Sequence, residues 1–150
     1  MEKLRVARKN EYVIEVNDKG ETISLNPDDP ELMLKCDNAL QKVKKFESEM
    51  KIEEQIIDKR QDEKTDYLLS KNDRAKAELL AKTFKKMREA VNEFLGKDAC
   101  QKIFGDTNYI GMFEDLFEQL EPHFIALKLN AEKLKEEIVN KYTDEDEEEL

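Results

Sequence analysis

Residues 31–95 contain neither glycine nor proline, the two residues that most often end a helix, while Pro30 precedes the run and Gly96 follows it. So long an uninterrupted stretch is predicted to be helical, and its apolar spacing agrees. Cys36, Leu40, Val43, Phe46 and Met50, reaching Ile57 by way of Glu53, keep the three-four spacing of one helical face from about Pro30 to near Ile57. Residues 58–66 carry no apolar side chain, which predicts either a solvated helical extension or a loop, with a break near 58–72. A second helix is expected over roughly 73–95. Its seam is Leu80, Phe84, Met87, Val91 and Leu95 with Phe94 beside it, and Gly96 is expected as a left-handed stop.

Before this run the pattern changes period. Tyr12, Ile14 and Val16 share one face of a β-branched segment, Asn17-Asp18-Lys19-Gly20 supplies a turn, and Ile23 and Leu25 share a face of the returning strand. Residues 3–8 also alternate, and extend the first strand or pair as a third. Pro27 and Pro30 end the β region, with Asp29-Pro30 expected as an N-cap and first helical position. A two-stranded hairpin is marginal by itself, so its apolar face must lean on a helix or on another copy of the chain.

Beyond Gly96, Asp98 to Gln101 reads as a capping box opening a short helical turn that Phe104-Gly105 closes. A further helix starts near Tyr109 and is expected to kink or restart at Pro122. Ile125, Leu129, Leu134 and Ile138 carry an amphipathic pattern on to about Tyr142. The expected fold class is therefore mainly α, with an N-terminal β-hairpin over about 12–25 and long amphipathic helices. The expected organisation is a hairpin region at 1–29, a helical domain at 30–143 and a disordered acidic tail at 144–150.

Charge limits the possible functions. Of all residues 41% are charged, and Leu, Ile, Val and Phe together make up about a quarter of the chain, above the roughly 20% below which disorder is the default. The net charge of −10 and pI near 4.8 leave no basic footprint for nucleic acid. Six acids in residues 144–150 account for most of that charge, leaving −4 on residues 1–143. That tail is a solubilising end or a lure for a basic partner. No apolar run reaches the roughly 18 residues of a membrane span, and the N-terminus lacks a signal-peptide core. Cys36 and Cys100 stand far apart in helical patterns and read as reduced core residues, which points to an intracellular protein.

Candidate chemistry is sparse. His123 is the only imidazole, follows Pro122, and has no acid three or four residues before it, so a structural or solvent-facing role is expected. Glu114, Asp115 and Glu118 alternate with Phe113, Leu116 and Phe117 as an outer helix face does. Asn17 to Glu21 misses the spacing of a calcium loop, and Gly105 and Gly111 form no phosphate cradle. No nucleophile–base pair, cofactor or metal set is visible, and a non-enzyme is expected. The dense feature is aromatic: Phe104, Tyr109, Phe113, Phe117 and Phe124, five of the chain's eleven aromatics, lie in residues 104–124. They are either core against the Leu80–Leu95 helix or a groove for a partner.

Taken in order, the sequence resembles a family. The hairpin of Tyr12 to Gly20, the charged helices, the Gly96-Lys97-Asp98-Ala99-Cys100 junction, Ile103-Phe104-Gly105-Asp106, and Met112 to Pro122 before an acidic tail resemble the tail assembly chaperones of long-tailed bacteriophages and prophages of Gram-positive bacteria. The resemblance is sharpest over 96–122. It implies a mainly helical protein of the bacterial host cytoplasm, absent from the mature virion, that coats the tape measure protein and recruits tail tube protein. It also implies that a longer, frameshifted form is common among relatives. The rival reading is a minor tail or coiled-coil adapter protein retained in a particle. Phe104, Tyr109, Met112, Phe113, Leu116 and Phe117 are the expected partner-binding residues. A homo-oligomer is expected through Tyr12, Ile14, Val16, Ile23 and Leu25, through the aromatic segment, or through both; neither a membrane nor a nucleic acid is an expected partner.

Overall fold

A computed structural model describes residues 1–5, 11–128 and 132. Strands β1 (Tyr12–Glu15) and β2 (Thr22–Leu25) form an antiparallel hairpin, followed by helices α1 (Leu32–Asp58), α2 (Lys71–Leu95), α3 (Ala99–Phe104) and α4 (112–128). Mainly helical with an N-terminal hairpin, the fold is the one the sequence predicts. Part of the alternating segment 3–8, the amphipathic pattern beyond residue 128 and the acidic tail lie outside the described residues.

The hairpin register places Tyr12 opposite Leu25 and Ile14 opposite Ile23, which gathers the apolar side chains on one face. Asn17 builds the turn, its Oδ1 accepting from the backbone N–H groups of Lys19 and Glu21 at 3.0 and 3.2 Å. Ile23 and Leu25 are buried, and Tyr12, Ile14 and Val16 pack half-buried against the same core as the helices. The Tyr12 hydroxyl shares a 2.6 Å hydrogen bond with His123 Nδ1, and the two rings meet edge to face. The hairpin face therefore leans on this chain's own helices.

Helix α1 is an antiparallel partner of α2. Its regular α-helical span begins two residues later than the Asp29-Pro30 pair suggests: Asp29 Oδ1 accepts from Glu31 N–H at 2.9 Å, as an N-cap does, and Leu32 N–H donates to the Asp29 carbonyl at 3.1 Å, so a single turn leads into the helix. The polar stretch after Asp58 is a loop. Asn72 fastens it, donating from Nδ2 to the carbonyls of Ile57 and Arg60 at 3.2 and 3.0 Å. Ser70 caps α2, its hydroxyl accepting from Asp73 N–H at 3.2 Å.

Three expectations near the C-terminal half change. Gly96 ends α2 at φ 121° and ψ 160°, an extended mirror-image conformation and not the left-handed helical one. Asp98 makes no side-chain cap on α3. Asn92 of α2 takes the Cys100 N–H at 2.9 Å, and Gln101 turns to Asp106 at 2.9 Å, so the capping box is not formed. Helix α4 runs through Pro122 without a break, and His123 lies within it. Pro122 and Glu118, whose carbonyl loses its usual donor, are both exposed, so water can satisfy that carbonyl.

One core joins hairpin and helices. It contains Ile23 and Leu25, Cys36, Ala39 and Val43 of α1, Phe84, Met87, Val91 and Phe94 of α2, and Met112, Phe113, Leu116 and Leu120 of α4. Cys36 and Cys100 are buried free thiols, and burial pushes both up to about 11.

Candidate functional site

The site begins with Arg88, whose guanidinium holds the loop between α3 and α4. Its Nη1 donates to the Gly105 carbonyl at 2.9 Å, its Nη2 to the Thr107 carbonyl at 3.0 Å, and its Nε to Asn108 Oδ1 at 2.8 Å. The same group lies over the Phe104 ring, 5.7 Å from its centre. A planar, five-donor fork is the side chain suited to holding three acceptors at once. Gly111, at φ 87°, then turns the chain into α4 in a conformation that a side chain would strain. Across that turn Met112 N–H donates to the Tyr109 carbonyl at 3.2 Å.

This turn leaves Ile110 86% exposed while Met112, two positions on, is fully buried. Ile110 forms one lip of a cleft of about 140 Å³. Val43 and Met50 of α1, Leu80, Phe84 and Met87 of α2, and Phe113 of α4 line its walls. Glu47 and Glu114 bring two carboxylates to the lining, and Glu47 pairs with Lys51 at 3.1 Å. Aromatic rings pack against one another behind it. Phe113 stacks on Phe84 with centres 6.3 Å apart, and meets Phe104 edge to face at 5.6 Å. Apolar walls, packed aromatic rings and an exposed aliphatic lip suit the insertion of an apolar side chain from another molecule; they supply no acid, base or nucleophile.

The six residues expected to bind a partner are thus divided. Met112, Phe113 and Leu116 are buried in the core, Phe104 and Phe117 are half-buried at its margin, and only Tyr109 is substantially exposed. Phe113 contributes to the cleft as part of its wall, at 5% exposure, and is no protruding anchor. Sequence reasoning missed Ile110 and Arg88. Ile110 sits between Tyr109 and Gly111, and the helix-breaking glycine after an isolated aliphatic residue was the available signal; nothing in the sequence marks Arg88.

A second, polar cleft lies between the hairpin turn and α3, lined by Asn17, Asp18, Glu21, Asp98, Lys102 and Asp106 among others. Here Asn17 Nδ2 donates to the Lys102 carbonyl at 3.0 Å and Lys102 Nζ donates to the Thr22 carbonyl at 3.2 Å, so its polar groups dock the hairpin on α3. Among the described residues no group of histidine, cysteine and carboxylate side chains is arranged to hold a metal ion, and no helix is long and apolar enough to cross a membrane. Compared with known proteins, the chain matches no family model, no curated protein and no solved structure.

Proposed function

We propose that this chain is a non-enzymatic assembly chaperone of a bacteriophage tail, which shields helical segments of the tape measure protein and recruits tail tube subunits before being discarded. The observation that carries the reading is the apolar cleft beside Ile110, a preformed slot for one large aliphatic or aromatic side chain on the apolar stripe of a helix. A long, largely helical tape measure exposes many such side chains until the tube surrounds it. The chain's net charge of −10 favours solubility at high concentration.

The rival reading, an adapter retained in the particle, is favoured by the α1–α2 hairpin, whose far half carries little buried apolar surface and has the build of a spacer. Two measurements separate them. The chaperone is absent from purified particles, and Ile110→Glu weakens tape measure binding by about tenfold or more, as loss of a central anchor does. The melting temperature should stay within about 2 °C, because Ile110 is a surface residue. Undiminished binding by Ile110→Glu rejects the cleft as the site, and stoichiometric presence in particles rejects the chaperone.

A further inference from the structure

Between Val43 of α1 and Thr83 of α2, Ile57 is the only buried side chain. Residues 44–82 are therefore an arm: two antiparallel helical segments and their loop, reaching about 22 Å along α1 from the core to Asp58. The end of this arm exposes several large apolar side chains beside its charged loop. Tyr67 and Leu68 are 89% and 96% exposed, and Leu69, Ile52 and Ile56 are exposed beside them in the chain or on the last turns of α1.

The loop that presents them is built. Asp62 Oδ1 accepts from Asn72 N–H at 3.0 Å, Lys71 N–H donates to the Glu63 carbonyl at 2.9 Å, and the Thr65 hydroxyl donates to the Leu69 carbonyl at 2.7 Å. Ion pairs Lys71–Glu63 and Lys76–Asp58 tie the loop and the end of α1 to α2. Five of the twelve large hydrophobic side chains exposed among the described residues belong to this arm.

Charge indicates what covers it. The arm carries ten acids and ten bases and is neutral, so the whole net charge of −10 belongs to the remainder of the chain. We propose that the arm tip is a self-association surface, and that a second copy of this chain docks on Tyr67, Leu68, Ile52 and Ile56. A tip-to-tip pair meets through neutral surfaces. It also holds the two acidic bodies apart by more than the roughly 8 Å over which charge is felt at physiological ionic strength. Contacts between the bodies bring like charges together.

The arm presents a face of roughly 22 Å by 20 Å, short of the ~800 Å² per partner of a stable complex, so the dimer is weak, in the micromolar range or above. This surface is separate from the cleft, and its test needs no tape measure protein. Sedimentation velocity on the full chain, from about 5 to about 500 µM, reads the association. The wild-type chain should self-associate, and to nearly the same degree at about 0.5 M salt, because a tip-to-tip pair already holds the bodies beyond the screening length. Tyr67→Ser/Leu68→Ser should raise the dissociation constant at least about tenfold, with its melting curve unchanged because both side chains are solvent-exposed. Ile110→Ser should leave association as it is. A monomer at the highest concentration, or association untouched by the tip substitutions, overturns the proposal. So does association lost on Ile110→Ser.

Discussion

Phe113, one of the expected partner-binding residues, is buried at 5% exposure, while Ile110 three positions before it is 86% exposed. Phe113 looks like an exposed anchor in an acidic helix, yet it is buried between Phe84 and Phe104. Truncating it removes both ring contacts and leaves a cavity, so Phe113→Ala should cost about 3–5 kcal/mol in urea denaturation. A loss below about 1 kcal/mol would show a surface residue. Arg88 has no apolar role, but its three donated hydrogen bonds position the loop that exposes Ile110. The loop at the cleft is thus held by a charged side chain seventeen or more positions away in sequence.

Among the elements, the α1–α2 loop shows most directly how a polar segment acquires a shape. It has no core of its own, and Asn72 holds it by two side-chain donations to carbonyls at the end of α1 and just beyond it. Asn72→Ala leaves those acceptors without their partner and should cost about 1–2 kcal/mol, read as a lower urea midpoint. Asp62 adds a titratable element. Hydrogen bonds from the Asn72 N–H first, and from Ser70 and Glu63, hold its carboxyl below the usual 3.8. The folded state therefore favours the charged carboxylate. Its contribution is present above pH 3.8 and is lost as pH falls through the lower, folded value. The Asn72 amide resonance should titrate with a midpoint under 3.8, and a midpoint at or above it would remove the bond from the account.

At the scale of the whole molecule, the hairpin, α1, α2 and α4 share one core, and two thiols lie inside it. Burial raises both thiols from 9.0 to about 11, so the folded protein keeps protons that the unfolded chain gives up. Stability from this source is complete below pH 9, falls between pH 9 and 11, and levels off above. The drop should amount to about 2–3 kcal/mol per thiol in urea titrations, and it should shrink in Cys36→Ala/Cys100→Ala. An unchanged slope in that variant would place the thiols in contact with water.

Local chemistry was enough to show the hairpin, α1 and α2. Alternating Tyr12, Ile14 and Val16, the glycine at 20, and the glycine- and proline-free run to Leu95 each act within a few residues, where propensity and periodicity are decided. The same reasoning failed wherever a distant group intervened. Asn92 caps α3 in place of Asp98, and His123 receives Tyr12 from the other end of the chain. The side of α4 that faces the core was undecided, because an aromatic at helical spacing serves a core and an interface equally well. Packing alone buried Met112, Phe113 and Leu116, left Ile110 at the lip of a cleft and sent Tyr67 and Leu68 to the end of an arm. A residue's exposure depends on which other elements reach it, and no window of sequence contains them.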